Sequence, residues 1–273
     1  MAQSFDSLNR YNNSNVFFST GFGLRAEKVA SDILGAMNYY AGELDFKPNV
    51  TILVLSSVDW KKYTSFPVYG MPHYTNSKTL IVAASDNPLW QSFTPDFSQL
   101  PRYLADEVKS VYGGVNGTVT MENFFDLLAI HELGHAFHIQ GELNVQRKWM
   151  GELFCNLFLH TYVAERVPER LKALTVFPQM VVSGDTDQYA FKTLQQFEKD
   201  YATIAQQHPK NYGWYQCRLH VSAEKIYENG GKKVIMDLWN MLKSPQQIGD
   251  DEKLIQLLNE SVHTSVSDVL VKW

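Results

Sequence analysis

The pattern of hydrophobic and polar positions predicts two different halves of the chain. In the first half, Val50–Ser56 and Thr79–Ala84 are short runs of β-branched and aliphatic residues, which are typical of buried or half-buried strands. Helices are predicted near Leu24–Leu44 and Leu100–Tyr112. From about residue 144 onward the pattern predicts helices only, at approximately 144–166, 188–206, 211–228, 230–243 and 250–260.

A further helix is predicted where the two halves join. Thr120 is suited to cap its N-terminus and Gly141 its C-terminus, and Met121–Gln140 contains no proline. One stripe of this helix carries apolar and histidine side chains, namely Phe124, Leu127, Leu128, His131, His135 and His138.

The sequence therefore predicts an α+β fold in two lobes. Residues 1–141 form a mixed lobe with a sheet that ends in the joining helix, and residues 142–273 form an all-helical lobe. A length of 273 residues is enough for such a catalytic unit to bury a full core.

Composition excludes several classes of protein. Hydrophobic residues make up 45% and charged residues 19% of the chain, as in an ordinary globular protein. A net charge of −5 gives no basic footprint, so neither nucleic acid nor an anionic membrane is expected as a partner. The segment Met1–Asp6 lacks the pattern of a signal peptide, and Cys155 and Cys217 are expected to be reduced thiols. Both features favour a cytoplasmic location, while the oligomeric state is left open.

The joining helix contains the motif His131-Glu132-Leu133-Gly134-His135. Residues four apart lie on one face of a helix, so both imidazoles can be directed at one ion. Zinc favours neutral imidazole nitrogen, and a catalytic zinc site has three protein ligands and one open position. Glu132 lies one position round the helix, where it can take a proton from a water molecule at the metal. The alternative is two core histidines with a surface glutamate between them.

Glu152 is the predicted third ligand, because it lies in a strongly apolar helical stretch, where a charge is costly unless it is paired or bound to metal. An ordinary helix glutamate is the alternative reading, and Asp187 is a weaker competitor for the ligand position. Asn156 lies one turn beyond Glu152 and could accept a hydrogen bond from the second ring nitrogen of a zinc-binding histidine.

This arrangement resembles the gluzincin metallopeptidases, the thermolysin-like clan, in which H-E-x-x-H is followed on the next helix by E-x-x-x-D. His131, Glu132, His135 and Glu152 match that pattern, and Asn156 stands in place of the aspartate. The spacing from His135 to Glu152 is short for the clan. The resemblance covers roughly residues 120–166 and otherwise only the general layout. It implies a zincin-like fold, bound Zn²⁺ and a peptide or protein substrate.

The resemblance also implies a Tyr or His from the helical lobe that stabilises the oxyanion. Tyr215 is the first candidate, followed by His220 or Tyr212. Thr79–Ala84 is either the edge strand along which a peptide adds or an internal core strand.

The expected function is therefore a zinc-dependent metallopeptidase with Glu132 as general base. Two alternatives stay open: a zinc-containing binding or scaffold protein of the same fold without catalysis, and a zinc hydrolase of non-peptide amides.

Overall fold

A computed structural model describes residues 5–114, 118–245 and 249–273. The chain divides into two units, Met1–Phe137 and His138–Trp273. The division falls within one helix, Glu122–Gln140, which is the helix predicted to join the two halves. The fold is of the mixed α+β type, with strands in the first unit and helices in both.

The first unit contains a sheet of five strands in its described residues, in the order β1-β2-β3-β5-β4. The central strands β2, β3 and β5 are parallel, and β1 and β4 pair antiparallel at the two edges. The strands are β1 (Asn9–Arg10), β2 (Val16–Phe18), β3 (Thr51–Leu55), β4 (His73–Thr75) and β5 (Thr79–Ala83).

Both predicted strands are confirmed as β3 and β5. Residues Ile52–Leu55 and Leu80–Ala83 are almost completely buried, which explains why these strands are continuous apolar runs rather than alternating ones. Because β5 lies between β3 and β4, it is an internal strand, and the hypothesis that it forms the sheet edge is wrong. The edge on that side is β4, a segment for which no strand is predicted from the sequence.

Five helices complete the description of the first unit, the last of them continuing into the second. They are α1 (Gly23–Glu43), α2 (Ser57–Tyr63), α3 (Pro88–Ser92), α4 (Arg102–Tyr112) and α5 (Glu122–Gln140). Helix α1 connects the parallel strands β2 and β3 and packs against both. Thr120 lies at the start of α5, where its hydroxyl accepts from the backbone N–H of Glu122 at 3.2 Å, as the N-cap prediction requires.

The described residues of the second unit form helices and connecting segments only, as predicted. The helices that follow α5 are α6 (Lys148–Arg166), α7 (Leu171–Ser183), α8 (Leu194–Gln207), α9 (Pro209–Gly230), α10 (Lys233–Lys243), α11 (Asp251–Ser261) and α12 (Thr264–Val271). Helix α6 is buried continuously from Trp149 to Val163, because α7, α8, α9 and α10 all pack against it. Among the described helices of the whole chain, none combines the length and apolar character needed to cross a bilayer.

Candidate metal centre

A buried ion pair fixes the first turns of α5 against α1. Asp126, whose side chain is 2% exposed, accepts hydrogen bonds from both terminal nitrogens of Arg25, one of them at 2.7 Å. Lys28 Nζ lies 2.8 Å from Asp126 Oδ2. Burial by itself would raise the pKa of Asp126, but the hydrogen bonds and charge of Arg25, together with Lys28, hold that pKa below its usual value. The helix that carries the motif is thus anchored one turn before His131.

The two motif histidines lie side by side on α5. The ring centroids of His131 and His135 are 5.0 Å apart and the ring planes meet at 76°. His131 is buried and His135 is half-buried. The predicted helix is confirmed, and it places both imidazoles within one turn, as binding of a single ion requires.

Glu132 is held by the edge strand of the sheet. Its Oε2 atom accepts the backbone N–H of Tyr74 in β4 at 2.9 Å. This N–H therefore points away from β5, the only strand paired with β4 among the described residues. The hydrogen bond fixes the direction of the carboxylate and leaves the peptide edge of β4 beside it.

His73, the neighbour of Tyr74, has both ring nitrogens in hydrogen bonds within the first unit. Its Nδ1 atom lies 3.1 Å from the carbonyl oxygen of Met71, and its Nε2 atom lies 2.8 Å from Thr64 Oγ1. A carbonyl only accepts, so Nδ1 carries the proton and Nε2 accepts from the threonine hydroxyl. Burial lowers the pKa of His73, against the smaller opposing effect of the Met71 bond.

Glu152 is a buried and oriented carboxylate on α6. It is 5% exposed, and its role as a metal ligand rather than an ordinary helix glutamate stays a prediction. Tyr201 of α8 donates its hydroxyl to Oε1 at 2.8 Å, and Gln216 of α9 donates Nε2 to Oε2 at 2.9 Å. Two neighbouring helices of the second unit therefore each supply a neutral donor to one carboxylate oxygen.

The contacts of Glu152 continue into a network of uncharged groups. Gln216 Nε2 also donates to Tyr212 Oη at 2.9 Å, and the hydroxyl oxygens of Tyr212 and Tyr201 are 3.4 Å apart. Asn156, which is completely buried, donates its side-chain amide to Gln216 Oε1 at 3.3 Å. Asn156 thus braces the residue that holds Glu152; its role in bracing a histidine stays a prediction.

The last turn of α5, which belongs to the second unit, packs on α6 next to Glu152. A Cβ atom added at Gly151 would lie 3.4 Å from Cε1 of His138 and 3.5 Å from Val145, so glycine gives the imidazole its place. Burial lowers the pKa of His138, while the negative charge of Glu152 opposes that change. His138 is thus a partly buried packing residue.

The other predicted residues occupy different environments. Tyr215 is completely buried, donates its hydroxyl to the backbone oxygen of Thr193 at 2.8 Å, and has its pKa raised by burial. His220 is buried on α9, one turn beyond Gln216. Asp187 has a 92% exposed side chain, 3.7 Å from Lys192 Nζ.

Among the predicted oxyanion donors, the structure brings Tyr212 together with Glu152. Tyr201 and Gln216 were not identified from the sequence. Gln216 follows Tyr212 by four residues and so shares its helix face, a spacing that could have indicated it. No local pattern marks Tyr201, because its contact with α6 depends on how α8 packs.

Several side chains on α5 and α6 have the chemistry of metal ligands, among them His131 and His135 on α5, and Glu152 and Cys155 on α6. Imidazole with either carboxylate or thiolate is a donor set that suits zinc. Cys155 and Cys217 are both buried and neither forms a disulfide, as predicted. Burial raises the pKa of Cys217 to about 12, so this thiol is inert at neutral pH.

Comparison with models of known protein families, with curated proteins and with solved structures gives no match to this chain. Any assignment of function therefore depends on the chemistry of the side chains themselves.

Proposed function

We propose that this protein is a zinc-dependent metallopeptidase with a zincin-like fold that resembles the gluzincins. In this proposal His131 and His135 bind Zn²⁺ through imidazole nitrogen, and Glu152 is the third protein ligand. The observation that carries the proposal is the geometry of one turn of α5, where the two imidazoles lie 5.0 Å apart and Glu132 is directed to the edge strand β4. Zinc, when bound, polarises the scissile carbonyl and lowers the pKa of the attacking water.

Glu132 acts as general base in this scheme. We assign the proton of the attacking water to the carboxylate of Glu132, whose Oε2 atom accepts the backbone N–H of Tyr74. Glu132 then passes this proton to the nitrogen of the departing amine. The hydrogen bond from Tyr74 keeps the carboxylate in one orientation while the proton is transferred.

The proposed substrate is an extended peptide that lies beside the outer edge of β4. The N–H of Tyr74 points to that edge rather than to β5, and Glu132 accepts it. Because this N–H is engaged by Glu132, the substrate lies next to the general base without adding to β4 as a further strand.

We propose Tyr212 as the donor to the oxyanion, with His220 as the second candidate. The hydroxyl of Tyr212 belongs to the hydrogen-bond network of Glu152. Tyr215 donates its hydroxyl to the backbone of Thr193 at 2.8 Å, a shorter contact than the 3.4 Å between the hydroxyl oxygens of Tyr212 and Tyr201.

Cys155 is the alternative third ligand, one turn beyond Glu152 on α6. Substitution of Zn²⁺ by Co²⁺ distinguishes the two, because a thiolate ligand gives a sulfur-to-cobalt charge-transfer band and a carboxylate does not. We expect a Co²⁺ spectrum without this band. A band that disappears in Cys155→Ser would replace Glu152 by Cys155 in the ligand set.

The function is tested by incubating the protein with a mixed peptide library and identifying the products by mass spectrometry. Metal content is measured in parallel, with chelator-treated protein and Glu132→Gln as controls. We expect cuts that vanish in both controls, and bound zinc that Glu132→Gln retains. Stoichiometric zinc without cuts would favour the binding protein or the non-peptide hydrolase, and protein that binds no zinc would refute the proposal.

A further inference from the structure

We infer that Tyr201 and Gln216 are positioning residues, which fix the carboxylate of Glu152 in the orientation that a metal ion needs. This inference rests on the proposed function, because it assigns Glu152 to the ligand set. Each residue donates to a different oxygen of Glu152, at 2.8 Å and 2.9 Å, and each comes from a different helix. Hydrogen bonds to both oxygens restrict rotation of the carboxylate more than a single donor would.

The orientation of the Gln216 amide follows from its neighbours. A carboxylate only accepts hydrogen bonds, so the NH₂ group of Gln216 faces Glu152. The amide oxygen then faces Asn156, which offers its own NH₂ group at 3.3 Å. Asn156 therefore supports the orientation of the glutamine amide that the carboxylate requires.

The hydroxyl groups of Tyr201 and Tyr212 form the other side of the hydrogen-bond network around Glu152. The hydroxyl hydrogen of Tyr201 is used on Glu152, so the 3.4 Å contact with Tyr212 has Tyr201 as the acceptor. Tyr212 also accepts from Gln216 at 2.9 Å. The donors are thereby linked into a ring around one carboxylate, and linked hydrogen bonds strengthen one another.

This network explains why position 156 is asparagine, where the gluzincin pattern has aspartate. An aspartate cannot donate, so it would place a carboxylate against Gln216 Oε1. Rotating the glutamine amide by half a turn would relieve that contact but would direct Oε1 at Glu152. Either arrangement sets two acceptors against each other in a buried site.

Two roles for Asn156 therefore predict opposite results for Asn156→Asp. If Asn156 acts on a zinc-binding histidine in the manner of the family's aspartate, the substitution should preserve or improve zinc binding. If it acts through Gln216, the substitution should weaken zinc binding although it restores the family's residue.

The experiment measures the zinc dissociation constant of the metal-free full chain by competition with a chromophoric chelator. The variants are Tyr201→Phe, Gln216→Leu and Asn156→Asp, with Glu152→Ala as the reference for loss of the ligand. Loss of a residue that holds a metal ligand commonly weakens affinity by about 10- to 100-fold, and we expect that range for all three variants.

Tyr227→Phe is the matched control. Tyr227 of α9 donates its hydroxyl to Glu165 of α6 at 2.6 Å, so the variant removes a phenol–carboxylate hydrogen bond between the same two helices that Gln216 and Glu152 join. We expect its zinc affinity to equal that of the original protein. Circular dichroism and melting of each metal-free variant check that the chain is folded.

The outcomes separate this inference from the proposed function. If Glu152→Ala loses zinc while Tyr201→Phe and Gln216→Leu bind as tightly as the original protein, the positioning role is refuted and the ligand assignment survives. If Glu152→Ala retains zinc, the ligand assignment fails and the positioning role fails with it. If Tyr227→Phe weakens zinc binding as much as Tyr201→Phe does, the effect is general destabilisation and the inference is overturned.

Discussion

Replacing Asp126 by Asn should destabilise the first unit by more than any surface change in that unit. The side chain of Asp126 is 2% exposed and that of Arg25 is 10% exposed, so the pair is shielded from water. Asparagine keeps the shape of aspartate but loses its charge and one acceptor position. The guanidinium is then buried opposite an amide, with Glu122 Oε1 at 3.4 Å as its remaining carboxylate contact.

The expected loss is about 3–5 kcal/mol, the usual cost of removing one partner from a buried ion pair. Replacing both partners by apolar side chains of similar size, Arg25→Met with Asp126→Leu, should restore most of this loss. The reason is that methionine and leucine are uncharged, so burying them carries no cost of removing an ion from water. A double-mutant cycle made of Arg25→Met, Asp126→Leu and the two together gives the coupling free energy of the pair directly.

The pH dependence supplies a second measurement. The pKa of Asp126 is held below its usual value in the folded protein. The stabilisation is therefore fully present above the unfolded pKa of about 3.9, and it is lost as the pH falls through the folded value. Urea unfolding of the original protein and of Asp126→Asn should differ most near pH 7 and converge below about pH 4. A loss under about 1 kcal/mol at pH 7, or a difference independent of pH, would refute this account.

Three further predictions concern the second unit. Tyr215→Phe removes the phenol donor to the backbone oxygen of Thr193, which keeps the N–H of Phe197 as a donor, and should lower the free energy of unfolding by about 0.5–1.5 kcal/mol, measured in urea. Burial lowers the pKa of His160 to about 4, so the free energy of unfolding should fall by roughly 3 kcal/mol as the pH drops from 6.5 to 4 and the unfolded chain takes up the proton first. The variant His160→Phe should not show this pH dependence. Trp273→Ala removes a ring 4.3 Å from the guanidinium of Arg218 and 5.7 Å from the ring of Tyr215, and should cost about 2 kcal/mol; an unchanged unfolding midpoint would contradict that packing.

Periodicity identified the long elements of this fold. Helix α5 and strands β3 and β5 were predicted within a few residues, because each carries a long stripe or a continuous apolar run. Strand β4 was missed because its three residues are too few to show a pattern. Helix α7 was also missed, since it carries Pro178 and β-branched residues that favour other conformations.

The residues of the candidate site also fall into a part that could be predicted from the sequence and a part that could not. The motif on α5 could be predicted because its spacing is local to one helix. The hydrogen bond of Glu132 to Tyr74 joins residues 58 positions apart, and that of Glu152 to Gln216 joins residues 64 apart. Contacts of this kind depend on tertiary packing, so they cannot be predicted from the pattern of residues in either of the two segments that they join.

Glu132 and Glu152 have settings that suit different tasks. Glu152 is gripped at both oxygens by side chains from two helices, which suits a metal ligand, whose direction must stay fixed. Glu132 accepts a backbone N–H at Oε2, which orients its carboxylate for the transfer of a proton. The hydrogen bonds of the two glutamates therefore agree with the proposed division of roles, which the spacing of the motif alone does not address.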